Sequence, residues 1–87
     1  MELIIASHAL KHGIGPEEIE YAWNNFLRRQ YRGAPQEGEI IAVGMGRSDQ
    51  LIELVAAERP FGIVVFHAMH PPTNNMLSEL GLARRSK

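Results

Sequence analysis

Four histidines in a chain of 87 residues are the first candidates for chemistry, because they fall in two close pairs. His8 and His12 stand four residues apart, so on a helical turn both imidazoles point to one side, with Lys11 beside them. His67 and His70 stand at the end of the apolar run Phe61-Gly62-Ile63-Val64-Val65-Phe66, which the double proline Pro71-Pro72 then closes. Imidazole suits acid–base work near neutral pH, so a site shared by these residues could serve as general acid, general base or phosphate clamp. Two histidines at this spacing can also ligate a metal ion, but no acidic residue follows the pair at helical spacing to supply a third ligand. The plain alternative is structural: His8 and His12 cover a sheet edge while His67 hydrogen-bonds a loop. Glu53 shares a strand face with Leu51, Val55 and Ala57, so it faces solvent or stands near the site. Arg47, in a turn between strands, can reach a phosphate or simply serve as a polar hairpin residue.

The elements that must position these groups follow from periodicity. The run from Phe61 to His70 is apolar on both faces and bounded by turn signals, which predicts a central strand. Alternation places Phe61, Ile63, Val65, His67 and Met69 on one face, and Val64, Phe66 and Ala68 on the other. Ser7 reads as the N-cap of one or two helical turns over 8–12, stopped by Gly13. Gly15 at N-cap, Pro16 at N1 and Glu17 and Glu18 in the first turn start a second helix, with Ile14 and Ile19 at the positions of a hydrophobic staple. Its apolar stripe is Ile19, Ala22, Trp23, Phe26 and Leu27, which makes Trp23 a packing residue. The chain leaves that helix through Arg28 to Arg32 and a loop over 33–38. Strands are predicted over 39–43 and 51–57, and a short amphipathic helix over 73–80. Met1 to Ile5 is apolar enough for a short strand or a helix lead-in, and periodicity does not separate the two.

The expected fold class is therefore α+β, with two N-terminal helices packed on a three-stranded antiparallel meander sheet and a short C-terminal helix. Its core is predicted to hold Ile19, Trp23, Phe26, Ile41, Leu54, Val64 and Phe66. Residues 1–82 form one domain, and 83–87 a basic tail expected to be disordered. Three strands leave open edges and the core is small, so a homodimer or an obligate partner is expected.

Composition narrows the function classes. Nine Lys plus Arg stand against ten Asp plus Glu, a net charge of −1, so nothing marks the chain as a bulk phosphate binder. Basic groups cluster only at Arg28-Arg29 with Arg32 and at Arg84-Arg85 with Lys87. No apolar run approaches the ~18 residues of a membrane span, and no charged-then-apolar signal segment opens the chain. Without cysteine the redox compartment is not encoded, and cytoplasm is the default expectation. Gly44-x-Gly46 lies between strands and opens no helix, so it is no phosphate-cradling loop.

His8-Ala9-Leu10-Lys11-His12-Gly13-Ile14, followed by Pro16-Glu17-Glu18-Ile19, resembles the opening of BrnT-type toxins, in which a Lys-His-Gly-Val/Ile step joins two helices ahead of a meander sheet. The middle is similar too, at Ile41-Ala42-Val43-Gly44, Gly46-Arg47-Ser48 and Glu58-Arg59. The resemblance implies a RelE-like ribonuclease toxin neutralised by a cognate antitoxin protein. It supports Lys11 and His12 as functional, together with Arg47 and Glu58. The chain departs from that pattern after its last strand, where His70 to Asn75 replaces a basic run. The resulting expectation is a metal-independent endoribonuclease with no cofactor. Lys11, His12 and His67 are its catalytic groups, and His8, Arg47, Glu58 and His70 contact RNA. A non-catalytic protein-binding module of the same fold and a small histidine-based metal-binding domain are the competing expectations.

Overall fold

The structure, a computed structural model, describes residues 2–82. The run ending in His67 forms a strand inside a sheet, as its two apolar faces require. The elements in chain order are β1 (Leu3–Ile5), a single 3-10 turn (Ser7–Leu10), α1 (Pro16–Asn24), β2 (Phe26–Tyr31), β3 (Glu39–Met45), β4 (Leu51–Arg59), β5 (Gly62–Met69) and α2 (Asn74–Glu79). The strands make one five-stranded sheet in the order β1-β5-β4-β3-β2. The expected three-stranded meander is thus β3-β4-β5, the middle of a larger sheet, and the sheet is mixed because β1 pairs parallel with β5.

This corrects the expected fold class in three places, each with a local cause. β1 is three residues long, too short to show any period, and it forms through Leu3↔Ile63 to Ile5↔Val65 pairing. The first predicted helix is only the 3-10 turn, with Ala6 rather than Ser7 at its N-cap and no side-chain cap. The second helix stops at Asn25, whose backbone leaves the helical region while its Nδ2 donates to the Tyr21 carbonyl at 2.8 Å. Phe26 and Leu27 continue the helical spacing in sequence but belong to β2, and both are exposed. A strand exposed on both faces has no alternation to betray it.

The two helices lie on opposite faces of the sheet. α1 starts as predicted, with Gly15 at N-cap and Pro16 at N1, and buries Ile19, Ala22 and Trp23 against Ile40, Ile52, Leu54 and Val65. The helix approaches β3 so closely that a Cβ on Gly44 would collide with the backbone of Ala22. α2 covers the other face, where Met76 and Leu80 pack on Ile41, Val43 and Val55. The predicted single core is therefore two. Ile41 belongs to the α2 side, Phe26 lies outside both, and Val64 and Phe66 are only half-buried.

A bulge in β5 decides which way His67 points. Ala56 pairs with Val65 but Val55 pairs with His67, which leaves Phe66 as an extra residue. Beyond it the alternation is inverted. Ala68 joins Ile63 and Val65 on the α1 face, and His67 turns to the α2 face beside Val55. The face assignment drawn from simple alternation is corrected at His67, Ala68 and Met69 for this reason.

Three side chains from β2 and its continuation strap α2 in place. Arg28 Nη1 donates to the Leu80 carbonyl at 2.9 Å and Gln30 Nε2 to that of Glu79 at 3.2 Å. Arg32 grips the Glu79 carboxylate with two nitrogens, at 2.8 and 2.9 Å, and reaches Glu39 at 2.7 Å. Hydrogen bonds from Arg32 hold the Glu79 carboxyl below its usual range. The unfolded chain then binds the proton more readily, so this contribution is present above about pH 4.5 and is lost as pH falls through the lowered value. For a pair this exposed it amounts to about 1 kcal/mol or less. Urea midpoints followed into acid should fall more steeply for the native chain than for Glu79→Gln, the two curves converging at the lowest pH.

Candidate acid–base site

Glu53 is the one charged residue buried among the described residues, 4% exposed. It sits in β4 between Ile52 and Leu54, which face α1, so alternation sends its carboxylate to the α2 side. There a buried carboxylate needs donors, and three converge on it. Oε1 accepts from the Thr73 backbone N–H at 2.8 Å and from its hydroxyl at 2.9 Å. Oε2 lies 2.7 Å from His67 Nε2. A carboxylate can only accept, so His67 carries its proton on Nε2 in this pair. Thr73 is also the N-cap of α2, its Oγ1 accepting from the Met76 N–H at 3.2 Å. Pro71 and Pro72 turn the chain so that this cap returns to β4. One carboxylate thereby joins the strand, the histidine and the helix start.

His67 stays partly open to solvent, its side chain 25% exposed. The His12 ring meets it edge to face, with centroids 5.8 Å apart and planes at 78°. The 3-10 turn brings His12 there because β1 ends early. The Ala6 N–H makes the next bond after β1, to the Val65 carbonyl at 2.9 Å. The carbonyl of the bulged Phe66 is then met at 3.2 Å by His8 Nδ1, which must be its donor. Gly13, at φ 83°, turns the chain away just after His12, a conformation glycine adopts without strain. Between α2 and the sheet an open cavity of about 320 Å3 runs from His8, His67 and Glu53 to Arg32, Glu39 and Glu79.

Of the residues singled out in the sequence, His8, His12 and His67 come together. Lys11 is exposed on the same turn, its N–H bonded to the His8 carbonyl at 3.3 Å. His70 lies past the end of β5, where its Nδ1 donates to the Leu51 carbonyl at 3.3 Å. Arg47 is drawn to the start of α1, its backbone N–H 2.7 Å and its Nε 3.4 Å from the Glu18 carboxylate. Glu58 accepts from the Tyr31 hydroxyl at 2.9 Å, a bond that pushes the phenol above its usual pKa. Arg47 and Glu58 therefore sit on the α1 side, across the sheet from His67. Arg84, Arg85 and Lys87 lie outside the described residues. The first basic cluster is divided, Arg28 and Arg32 holding α2 while Arg29 stacks on Trp23 and Phe26.

Two participants escape a reading of the histidines alone. Glu53 is a lone acid inside the apolar run Leu51 to Ala57, a pattern that calls for a buried partner. Thr73 follows a double proline and precedes a helix, which marks it as a cap but not as a ligand of Glu53. Among the described residues no three His, Cys, Asp or Glu side chains are placed to hold a metal ion together. Nor is any helix among them long and apolar enough to cross a membrane. Compared with protein-family models, curated proteins and solved structures, the chain matches none of them significantly.

Proposed function

We propose that the chain is a toxin-type endoribonuclease that cleaves RNA by acid–base chemistry at His67 and His12, without a metal or cofactor. The observation that carries this reading is the Glu53-held His67 with a second imidazole 5.8 Å away, ring centre to ring centre, at an open surface. Glu53 fixes the tautomer and orientation of His67, whose Nδ1 is left to accept a proton. In the reaction His67 takes the proton of a ribose 2′-hydroxyl, and that oxygen attacks the adjacent phosphorus. The bond from phosphorus to the 5′-oxygen breaks, and His12 gives the leaving oxygen its proton. The products are a 2′,3′-cyclic phosphate and a 5′-hydroxyl. Lys11, exposed beside His12, offsets charge on the phosphate. In this reading the chain acts in the cytoplasm and is silenced by a cognate antitoxin protein.

Growth tests the proposal. Expression of the chain alone should arrest its host, and His67→Ala should relieve the arrest while the purified variant keeps its native circular dichroism. Removing a general acid or base costs about 100-fold or more in rate, ample for a growth readout. Unhindered growth with folded native chain present at high level contradicts the reading, as does arrest that persists in folded His67→Ala.

A further inference from the structure

A sheet edge presents unpaired N–H and C=O groups, and proteins commonly blunt it by keeping the strand short or pointing charges outward. At one edge β1 is three residues long. At the other, β2 runs for six residues and every one is exposed. Its arginines do not guard that edge. Arg28 is committed to the Leu80 carbonyl, and the Arg29 guanidinium lies 3.9 Å from the Phe26 ring centre and 4.9 Å from that of Trp23. Three of the large apolar side chains left exposed, Phe26, Leu27 and Tyr31, belong to this one strand. Beside it on the α1 face lies a cavity of about 320 Å3, floored by Ile40 and Ile63 and walled by Trp23, Arg29 and Tyr31.

We propose that β2 is a docking edge for an extended, acidic segment of a partner protein, which adds to the sheet as a sixth strand. Backbone pairing would supply the attachment and alternate side chains the selectivity. Charge selects the occupant. A second copy pairing antiparallel about Arg29 would set that guanidinium opposite its own counterpart, an unfavourable cross-strand arrangement. A strand carrying carboxylates meets instead a guanidinium that no carboxylate pairs with among the described residues. Those carboxylates then lie on the α1 face with Arg29 and Tyr31, at the mouth of the cavity, and the alternate apolar residues lie on the opposite face. The inference stands apart from the catalytic reading, since β2 lies at the far edge of the sheet from the turn that carries His12.

Two synthetic peptides of matching length, one alternating Glu and Val and one alternating Lys and Val, test it by nuclear magnetic resonance on the full chain. The Glu–Val peptide should shift the amides of residues 26–31 and slow their exchange, and the Lys–Val peptide should not. Arg29→Glu should reverse that preference. Arg29→Gln, a milder change, should abolish it, and neither variant should alter RNA cleavage. The proposal is overturned if the Glu–Val peptide leaves β2 unmoved or shifts other residues instead. It is overturned equally if the β2 amides shift on dilution of the free chain, which would make a second copy the occupant.

Discussion

Replacing Glu53 by alanine should leave little folded protein. Glu53 is 4% exposed, and its carboxylate accepts from the Thr73 N–H, the Thr73 hydroxyl and His67 Nε2. Removing it strands all three donors beside a cavity, and each buried donor left without a partner costs about 1–3 kcal/mol. A chain of this size has total stability near the lower end of the ~5–15 kcal/mol that native domains possess. The start of α2 loosens as well, because Thr73 is held in capping position from both sides. Glu53→Gln separates structure from chemistry. Its amide oxygen can still accept from Thr73, but its nitrogen faces His67 Nε2 and forces that ring into the other tautomer. The glutamine variant should therefore fold and lose RNA cleavage. Urea unfolding of both variants checks the claim, and a native midpoint for Glu53→Ala would contradict the buried network.

Trp23→Ala is expected to be nearly as damaging, at about 3–5 kcal/mol. Trp23 is 8% exposed and closes the α1 side of the core at the end of the helix. Its ring also supports Arg29 of β2, so the loss should reach the sheet edge. As Trp23 is the chain's one tryptophan, thermal unfolding is best followed by circular dichroism. The edge amides of 26–31 should exchange faster in this variant even under conditions where it stays folded. A loss below about 1 kcal/mol would mean that neighbouring side chains close the gap, contrary to the packing described.

The parts of the fold legible in the sequence are those whose burial is one-sided or complete. β3, β4 and β5 announce themselves by predominantly apolar runs between turn residues, and α1 by its proline and glutamates at the start. β1 is too short for a period. β2 is exposed on both faces, so Phe-Leu-Arg-Arg-Gln-Tyr reads as the tail of the preceding helix. What holds it in the sheet is backbone pairing to β3 and side chains that reach α2, neither of which leaves a local pattern. The site was partly legible for the same kind of reason. His12 and His67 each precede a turn signal, at Gly13 and at Pro71-Pro72, and the pairing of β1 with β5 followed by the 3-10 turn brings them together. Simple alternation nevertheless gave His67 the wrong face, because nothing in Val65-Phe66-His67 marks which residue bulges. The partnership of Glu53 with His67 depends on that bulge, and its partnership with Thr73 on a return of the chain after two prolines, so both are visible only in three dimensions.

The central claim is that His67, oriented by Glu53, cleaves RNA through its own 2′-hydroxyl with His12 as the acid. The end groups left on a synthetic oligoribonucleotide test it most directly, with the purified chain assayed in the presence of a chelator. The account predicts 2′,3′-cyclic phosphate and 5′-hydroxyl ends, no cut where the 2′-hydroxyl is replaced by hydrogen, and at least about 100-fold slower cutting by His67→Ala. Intact RNA, or fragments ending in 3′-hydroxyl and 5′-phosphate, would contradict it.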